Sequence, residues 1–274
     1  MPAPTQHDLR HLAEARAALA AVTPDIVRVI RHSAHEGRVL GHWGTGEVAA
    51  HLSHVIRLDT DAIAGRVLPP AELHPAGVAD VTDAELAADP ERDPDALAAR
   101  VETLMQDFLA ASEAPADDHV SWLGGVRLPA SAVACHLLEE VLVHGFDLAR
   151  PTNQQWSIRP AHAALSIVGA VAPIVTAAGP TAFLRSRRAA EFRARVEVRL
   201  RGHDRLAIVF DNGLTIEPGA RGPFDAHVSV DPASMLLLLL NRVSRRPLLL
   251  RGKIVVWGRR PWQVARMTSM ITPP

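Results

Sequence analysis

Two histidines and a glutamate carry the most chemical potential in this chain. His51 lies in the run Ala49-Ala50-His51-Leu52, and Glu140 and His144 bound the run Glu140-Val141-Leu142-Val143-His144. Two imidazoles and one carboxylate make a three-ligand zinc set whose fourth position stays open to water or a thiol, the arrangement of a catalytic rather than a structural metal. In a helix, positions four apart lie about 40° apart around the axis and one turn apart along it, so Glu140 and His144 project together. His136 continues that stripe one turn earlier, and His54 neighbours His51 at i+3. With 14 histidines in the chain, such a pair also arises as a solvated or hydrogen-bonded stripe, and spacing alone leaves that alternative open. The company is apolar: Val133, Leu137, Val141 and Leu142 surround one stripe, and Leu52 and Val55 surround His51. Burying a carboxylate and two imidazoles there costs roughly several kcal/mol unless something compensates, as a divalent cation would.

The elements that must position these residues are helical in the first part of the chain. Residues 7–32 carry a core stripe of Leu9, Leu12, Ala15, Leu19, Ile26 and Ile30, with Thr23-Pro24 placed to break or restart the helix. Residues 45–64 form a second helix, capped by Thr45 and striped by Val48, Leu52, Val55 and Leu58. The proline- and acid-rich stretch 67–92 reads as a loop with a short helix, and 93–112 as a third long helix. Pro129 suits the first position of a fourth helix, which Pro151 ends. Four such helices predict an antiparallel bundle, whose core is a recurrent place for metal sites.

The period changes near residue 185. Residues 160–180 read as a bridging helix. Phe192, Ala194, Val196, Val198 and Leu200 then alternate with Arg193, Arg195, Glu197, Arg199 and Arg201, a strand with one wet face. Residues 205–211 and 213–217 make a hairpin around Asp211-Asn212-Gly213. A strand at 224–230, a leucine-rich helix from Asp231-Pro232 to Leu240, a strand at 252–257 and a helix at 261–271 complete the pattern. The expected class is α+β, with a helical domain at 1–155 and a linker helix and small α+β domain at 156–274.

Composition narrows the function. The 274 residues carry a formal net charge of −1, so no global field favours nucleic acid or an anionic membrane. Cys135 is the only cysteine, which excludes an internal disulfide and any multi-thiolate zinc site and suits a reducing cytoplasm. The start has no basic region followed by an apolar core. The apolar runs 164–178, interrupted by Pro173, and Met235–Leu240 fall short of the roughly 20 residues that span a bilayer. A cytoplasmic monomer or small homo-oligomer acting on small molecules is expected. Lys253 is the only lysine, tyrosine is absent and alanine, proline, leucine and valine abound, the bias of a GC-rich bacterial genome.

Two runs resemble a known family. Trp43-Gly44-Thr45-Gly46-Glu47-Val48-Ala49-Ala50-His51-Leu52 resembles the "W-T-x-x-x-x-x-x-H-L" segment of the mycothiol-dependent maleylpyruvate isomerases, a branch of the DinB-like metal-binding bundles, although Gly44 stands where threonine is commoner. Glu140 through Leu148 is similar to that family's "E-x-x-x-H-x-x-D-L". The segment from Phe224-Asp225-Ala226 through Asp231-Pro232 and the leucine-rich helix to Arg242 resembles the family's sterol-carrier-like second domain. The resemblance implies His51, Glu140 and His144 as ligands of zinc or another divalent metal, and mycothiol, the small thiol of actinobacteria, as cofactor or co-substrate. It further implies that the metal lowers the thiol's pKa and that the thiolate adds to an electrophilic carbon, either leaving again after a cis–trans rotation or staying attached.

A dianionic substrate, as maleylpyruvate isomerases take, calls for arginines, whose guanidinium fork suits carboxylates. Arg57 and Arg150, each about two turns from an implied ligand, are candidates for binding the cofactor or substrate. Arg242, which ends the resembling segment, is the candidate catalytic arginine, and Arg251 and Arg259 are weaker ones. Asp147, one turn past His144, could orient an imidazole. Trp43 reads as a packing anchor and Cys135 as a buried inert thiol. A different class stays open: a non-catalytic carrier that holds an apolar ligand in the second domain.

Overall fold

In this computed structural model, residues 5–34, 37–68, 74–186, 189, 191–219 and 221–272 are described below. The chain divides into two compact units. One comprises residues up to 158 apart from 73–75, and the other comprises 159–274 together with 73–75.

In the first unit four long helices form a ring. They are α1 (Gln6–Arg31), α2 (Thr45–Ile63), α4 (Pro94–Ala111) and α5 (Ala130–Ala149), and α1 and α2 each touch both α4 and α5. The shorter α3 (Pro75–Ala88) occupies most of the expected loop, whose residues 69–73 lie outside the described residues. Thr5 caps α1 in a reciprocal box with Asp8, and Asp93 caps α4 ahead of Pro94. The break expected at Thr23-Pro24 does not occur: α1 runs through Pro24, and Thr23 Oγ1 donates to Leu19 O. Leu9 is 55% exposed, so His11, buried, takes the place expected for it on the core face.

Helix α5 is the core element. All but three of its residues are buried; His136, Glu140 and Phe146 are half-buried. Two of those three lie on the polar stripe, so the stripe is where this buried helix meets solvent. Just before α5, β1 (His119–Ser121) and β2 (Arg127–Pro129) form a short antiparallel hairpin. Gly124 and Gly125 at its tip have φ of 70°, which glycine adopts without steric cost.

The second unit is a five-stranded sheet with helices. The strands are β3 (Ala194–Leu200), β4 (Arg205–Phe210), β5 (Leu214–Pro218), β6 (Ala226–Val230) and β7 (Ile254–Trp257), in the order β5-β4-β3-β6-β7. Only the β3–β6 pairing is parallel, Val198 lying opposite Val228. The turn between β4 and β5 places Asn212 at φ 56° and Gly213 at φ 143°. The helices are α6 (Pro160–Ser166), α7 (Ala172–Ala178), α8 (Pro232–Leu239), α9 (Arg245–Leu250) and α10 (Trp262–Thr268).

One expectation for this unit holds and one is corrected. A π-helical turn at Ile167–Val171 joins α6 and α7, so Pro160–Ala178 is one helix that runs through Pro173, in keeping with the bridging helix expected at 160–180. Pro173 lacks the N–H that would bond to Gly169 O, and Gly169 lies inside that wider turn, which absorbs the defect. By length and composition this helix could cross a membrane, but half of its most apolar stretch is buried inside the protein, as in a core helix. The correction concerns Glu197 on the wet face of β3, which is only 3% exposed. His227 Nδ1 at 2.6 Å, Arg199 Nε at 2.8 Å and Arg205 Nη1 at 3.5 Å surround its carboxylate. These partners outweigh the burial that would raise the carboxyl and hold its pKa below the usual range.

Candidate metal centre

Helices α2 and α5 place His51, Glu140 and His144 against one another. His144 Nε2 lies 3.1 Å and His51 Nε2 3.5 Å from Glu140 Oε2. One ligand atom from each residue falls within 4.8 Å of the others, and the two imidazole rings stand nearly perpendicular, 5.0 Å apart. In a tetrahedral zinc site with bonds of about 2.0–2.1 Å, ligand atoms stand about 3.3 Å apart, and the two separations to Glu140 Oε2 lie on either side of that. Glu140 Oε2 is buried and accepts no hydrogen bond despite its two nitrogen neighbours. Such an orphaned carboxylate oxygen costs free energy that a cation would offset. The residues therefore fit zinc or a similar divalent ion, since nitrogen and oxygen ligands accept several metals.

Hydrogen bonds orient the set. His144 Nδ1 lies 3.1 Å from Asp147 Oδ2, one turn along α5. A carboxylate only accepts, so Nδ1 carries the proton and Nε2 is the atom left to face the cluster. Burial depresses the His144 imidazole, but Asp147 and Glu140 outweigh it and raise the pKa to about 9. Burial would raise Glu140, but the imidazoles of His144 and His51 hold it well below the usual carboxylate range. Burial is the largest influence on His51 and pushes its pKa down, so it tends to be neutral and ready to ligate.

One aromatic ring borders the centre, and another packs on α5 beside it in sequence. The Trp43 ring lies 5.1 Å from that of His51. Beside His144, Gly145 leaves room for Trp156: a Cβ at Gly145 would meet the indole at 2.1 Å. Trp156 Nε1 donates to Leu142 O at 2.9 Å, fixing the C-terminal part of α5.

The arginines are placed differently. Arg57 lies on α2 with the candidate ligand His51, but its guanidinium pairs with Glu85 at 2.6 Å. It lines a separate pocket of ≈ 390 Å³ with His54, Asp89 and Arg100. There His54 Nε2 contacts Asp89 Oδ2 at 2.8 Å, so His54 is occupied away from the metal cluster. Arg150 follows the last turn of α5 with its guanidinium 5.9 Å from the Phe146 ring centre. Arg242 belongs to the second unit, where Nη1 donates to Leu240 O at 2.6 Å. Cys135 is fully buried, and burial pushes its thiol pKa far up.

Sequence reasoning missed Asp59 and Trp122. Asp59 is 0% exposed and accepts from Trp122 Nε1 and His136 Nδ1, each at 2.8 Å. A lone acid within Val55-Ile56-Arg57-Leu58-Asp59-Thr60, two turns past His51, was the available signal. Trp122 gave none, because its hairpin strands are too short to show alternation.

Residues 27–149, which include all three candidate ligands, match the family model of the mycothiol maleylpyruvate isomerase N-terminal domain. A crystal structure of a mycothiol-dependent maleylpyruvate isomerase shares the fold, with a TM-score of 0.52 and 17% identity over 89% of this chain and 92% of that one. A histidine-to-alanine mutant of a mycothiol-dependent maleylpyruvate isomerase matches equally well, with a TM-score of 0.52 and 17% identity over the same shares. No curated protein sequence matches. Residues 27–149 are thus similar to the mycothiol maleylpyruvate isomerase N-terminal domain, in a chain with the α+β fold of the maleylpyruvate isomerase structure.

Proposed function

We propose that this chain is a metal-dependent enzyme that adds mycothiol to a small electrophile, as an S-transferase or a cis–trans isomerase. The observation that carries this reading is the convergence of His51, Glu140 and His144 on one point, with the Glu140 oxygen left unsatisfied.

His51, Glu140 and His144 would hold zinc and leave one position free. Zinc bound there would supply a Lewis acid that keeps a thiol ionised at neutral pH. Asp147 holds the His144 proton on Nδ1 so that Nε2 faces the ion. Trp43, against the His51 ring, screens one side of the site from water. The sulfur lone pair then forms a C–S bond to the electrophilic carbon. In an isomerisation the alkene π pair moves into the conjugated carbonyl, the former double bond rotates, and the pair returns as sulfur leaves. In a transfer the C–S bond persists, and either a proton is taken up or a leaving group departs with its electrons. Arg57, Arg150 and Arg242 remain the candidates for engaging substrate or thiol carboxylates. Arg57 would first have to leave Glu85.

The test is turnover by the full chain with mycothiol, using maleylpyruvate and a set of small electrophiles, for wild type and His144→Ala. Mycothiol-dependent product from wild type and none from the variant supports the reading. No turnover with any electrophile, together with tight binding of fatty acyl ligands regardless of metal, would replace it with the carrier reading.

A further inference from the structure

Asp59 raises a question that the three ligands do not answer. A fully buried carboxylate is costly unless paired, and this one spends both oxygens on side chains from other elements. Oδ1 accepts from the Trp122 indole of the β1–β2 hairpin, and Oδ2 accepts from His136 Nδ1 on α5. The Trp122 ring also meets the His136 ring edge-on at 4.8 Å, so the imidazole is held from two sides. The other nitrogen, His136 Nε2, lies 3.5 Å from Glu140 Oε1. The remaining oxygen, Glu140 Oε2, is the one flanked by His51 and His144. The two oxygens of one carboxylate thus face two different partners.

We infer that Trp122, Asp59 and His136 form a positioning chain that engages Glu140 Oε1 and so presents Oε2 alone to the metal. This inference rests on the metal site proposed above. Its chemical consequence is monodentate ligation, which suits a four-coordinate site with an open position; a freely turning carboxylate can also bind through both oxygens and fill that position. Partners that orient a ligand typically change metal affinity by about 10- to 100-fold when removed.

The test measures zinc affinity by chelator competition, and the visible spectrum of the cobalt-substituted protein, for wild type, His136→Phe, His136→Gln and His144→Ala. His136→Phe keeps a ring but removes the donor, and it should bind zinc about 10- to 100-fold more weakly. His136→Gln restores an N–H near the same place and should recover part of that loss. The cobalt spectrum of His136→Phe should lose intensity as a second oxygen raises the coordination number, a change that mere loss of packing would not produce. If His136→Phe does not fold, Trp122→Phe, which removes the indole N–H together with part of the ring, carries the test through the same two measurements. Wild-type affinity and spectrum in the folded variant, with binding abolished in His144→Ala, would overturn the positioning chain and leave the metal site standing. Absence of binding in wild type would overturn both.

Discussion

His51 Nε2 on α2 and Glu140 Oε2 on α5 stand 3.5 Å apart, on the stripe of the buried helix α5 where His136 and Glu140 are half-buried. Their approach makes a ligand set from two helices that the chain supplies far apart in sequence. The proposed site takes candidate ligands from both helices and would therefore depend on the bundle that brings them together.

The orientation of His144 should matter for metal affinity. Asp147→Asn replaces the carboxylate that accepts from His144 Nδ1 with an amide that can present the wrong group. Zinc affinity, measured by chelator competition, should fall about 10- to 100-fold while far-UV circular dichroism stays unchanged. Unchanged affinity would show that Asp147 only fills space.

Gly145 should tolerate no side chain. In Gly145→Ala the new methyl would lie 2.1 Å from the Trp156 ring, so either the indole or α5 must shift. A loss of about 1–3 kcal/mol is expected, read as a lower midpoint of chemical unfolding. A wild-type midpoint would mean that Trp156 moves aside freely.

The pocket around Asp89 sets an acid limit on stability. Burial would raise the Asp89 carboxyl, but bonds from His54, the Glu91 N–H and Arg100 outweigh it and bring the pKa down to about 2. Its folded-state pKa is depressed, so the stabilisation is present above about pH 4 and drains away as pH falls towards 2. Asp89→Asn should therefore be less stable than wild type by about 1–2 kcal/mol at neutral pH, after a discount for solvent screening at the pocket. The gap should close between pH 4 and pH 2. Urea unfolding of both proteins across that range checks it; a gap independent of pH would contradict the ion-pair account.

Cys135 should be inert. With its side chain fully buried and its pKa pushed up, native protein should react with iodoacetamide orders of magnitude more slowly than protein in denaturant. Rapid native labelling, followed by mass spectrometry, would contradict the burial.

Much of this was legible in the sequence for reasons that can be named. The spacing of Glu140 and His144 fixes a shared helix face, and the alternation from Phe192 to Arg201 fixes a strand. Pro24 misled, because proline weakens a helix locally while tertiary packing can carry the helix through it. Glu197 was assigned to solvent because period two reports a face and not the cations that cover it. Asp59 was invisible for the same reason: its partners Trp122 and His136 come from elements that only the fold brings together. Arg57 and Arg150 stand out by counting turns from the candidate ligands and Arg242 by ending the resembling segment, and neither signal reports competing partners such as Glu85 beside Arg57.

Metal content tests the central claim most directly. Protein purified without an affinity tag and without added metal would be analysed by mass spectrometry, with wild type and His144→Ala in parallel. The account predicts about one zinc or similar divalent ion per chain in wild type and none in the variant. No stoichiometric metal in wild type, even after zinc is offered, would contradict it.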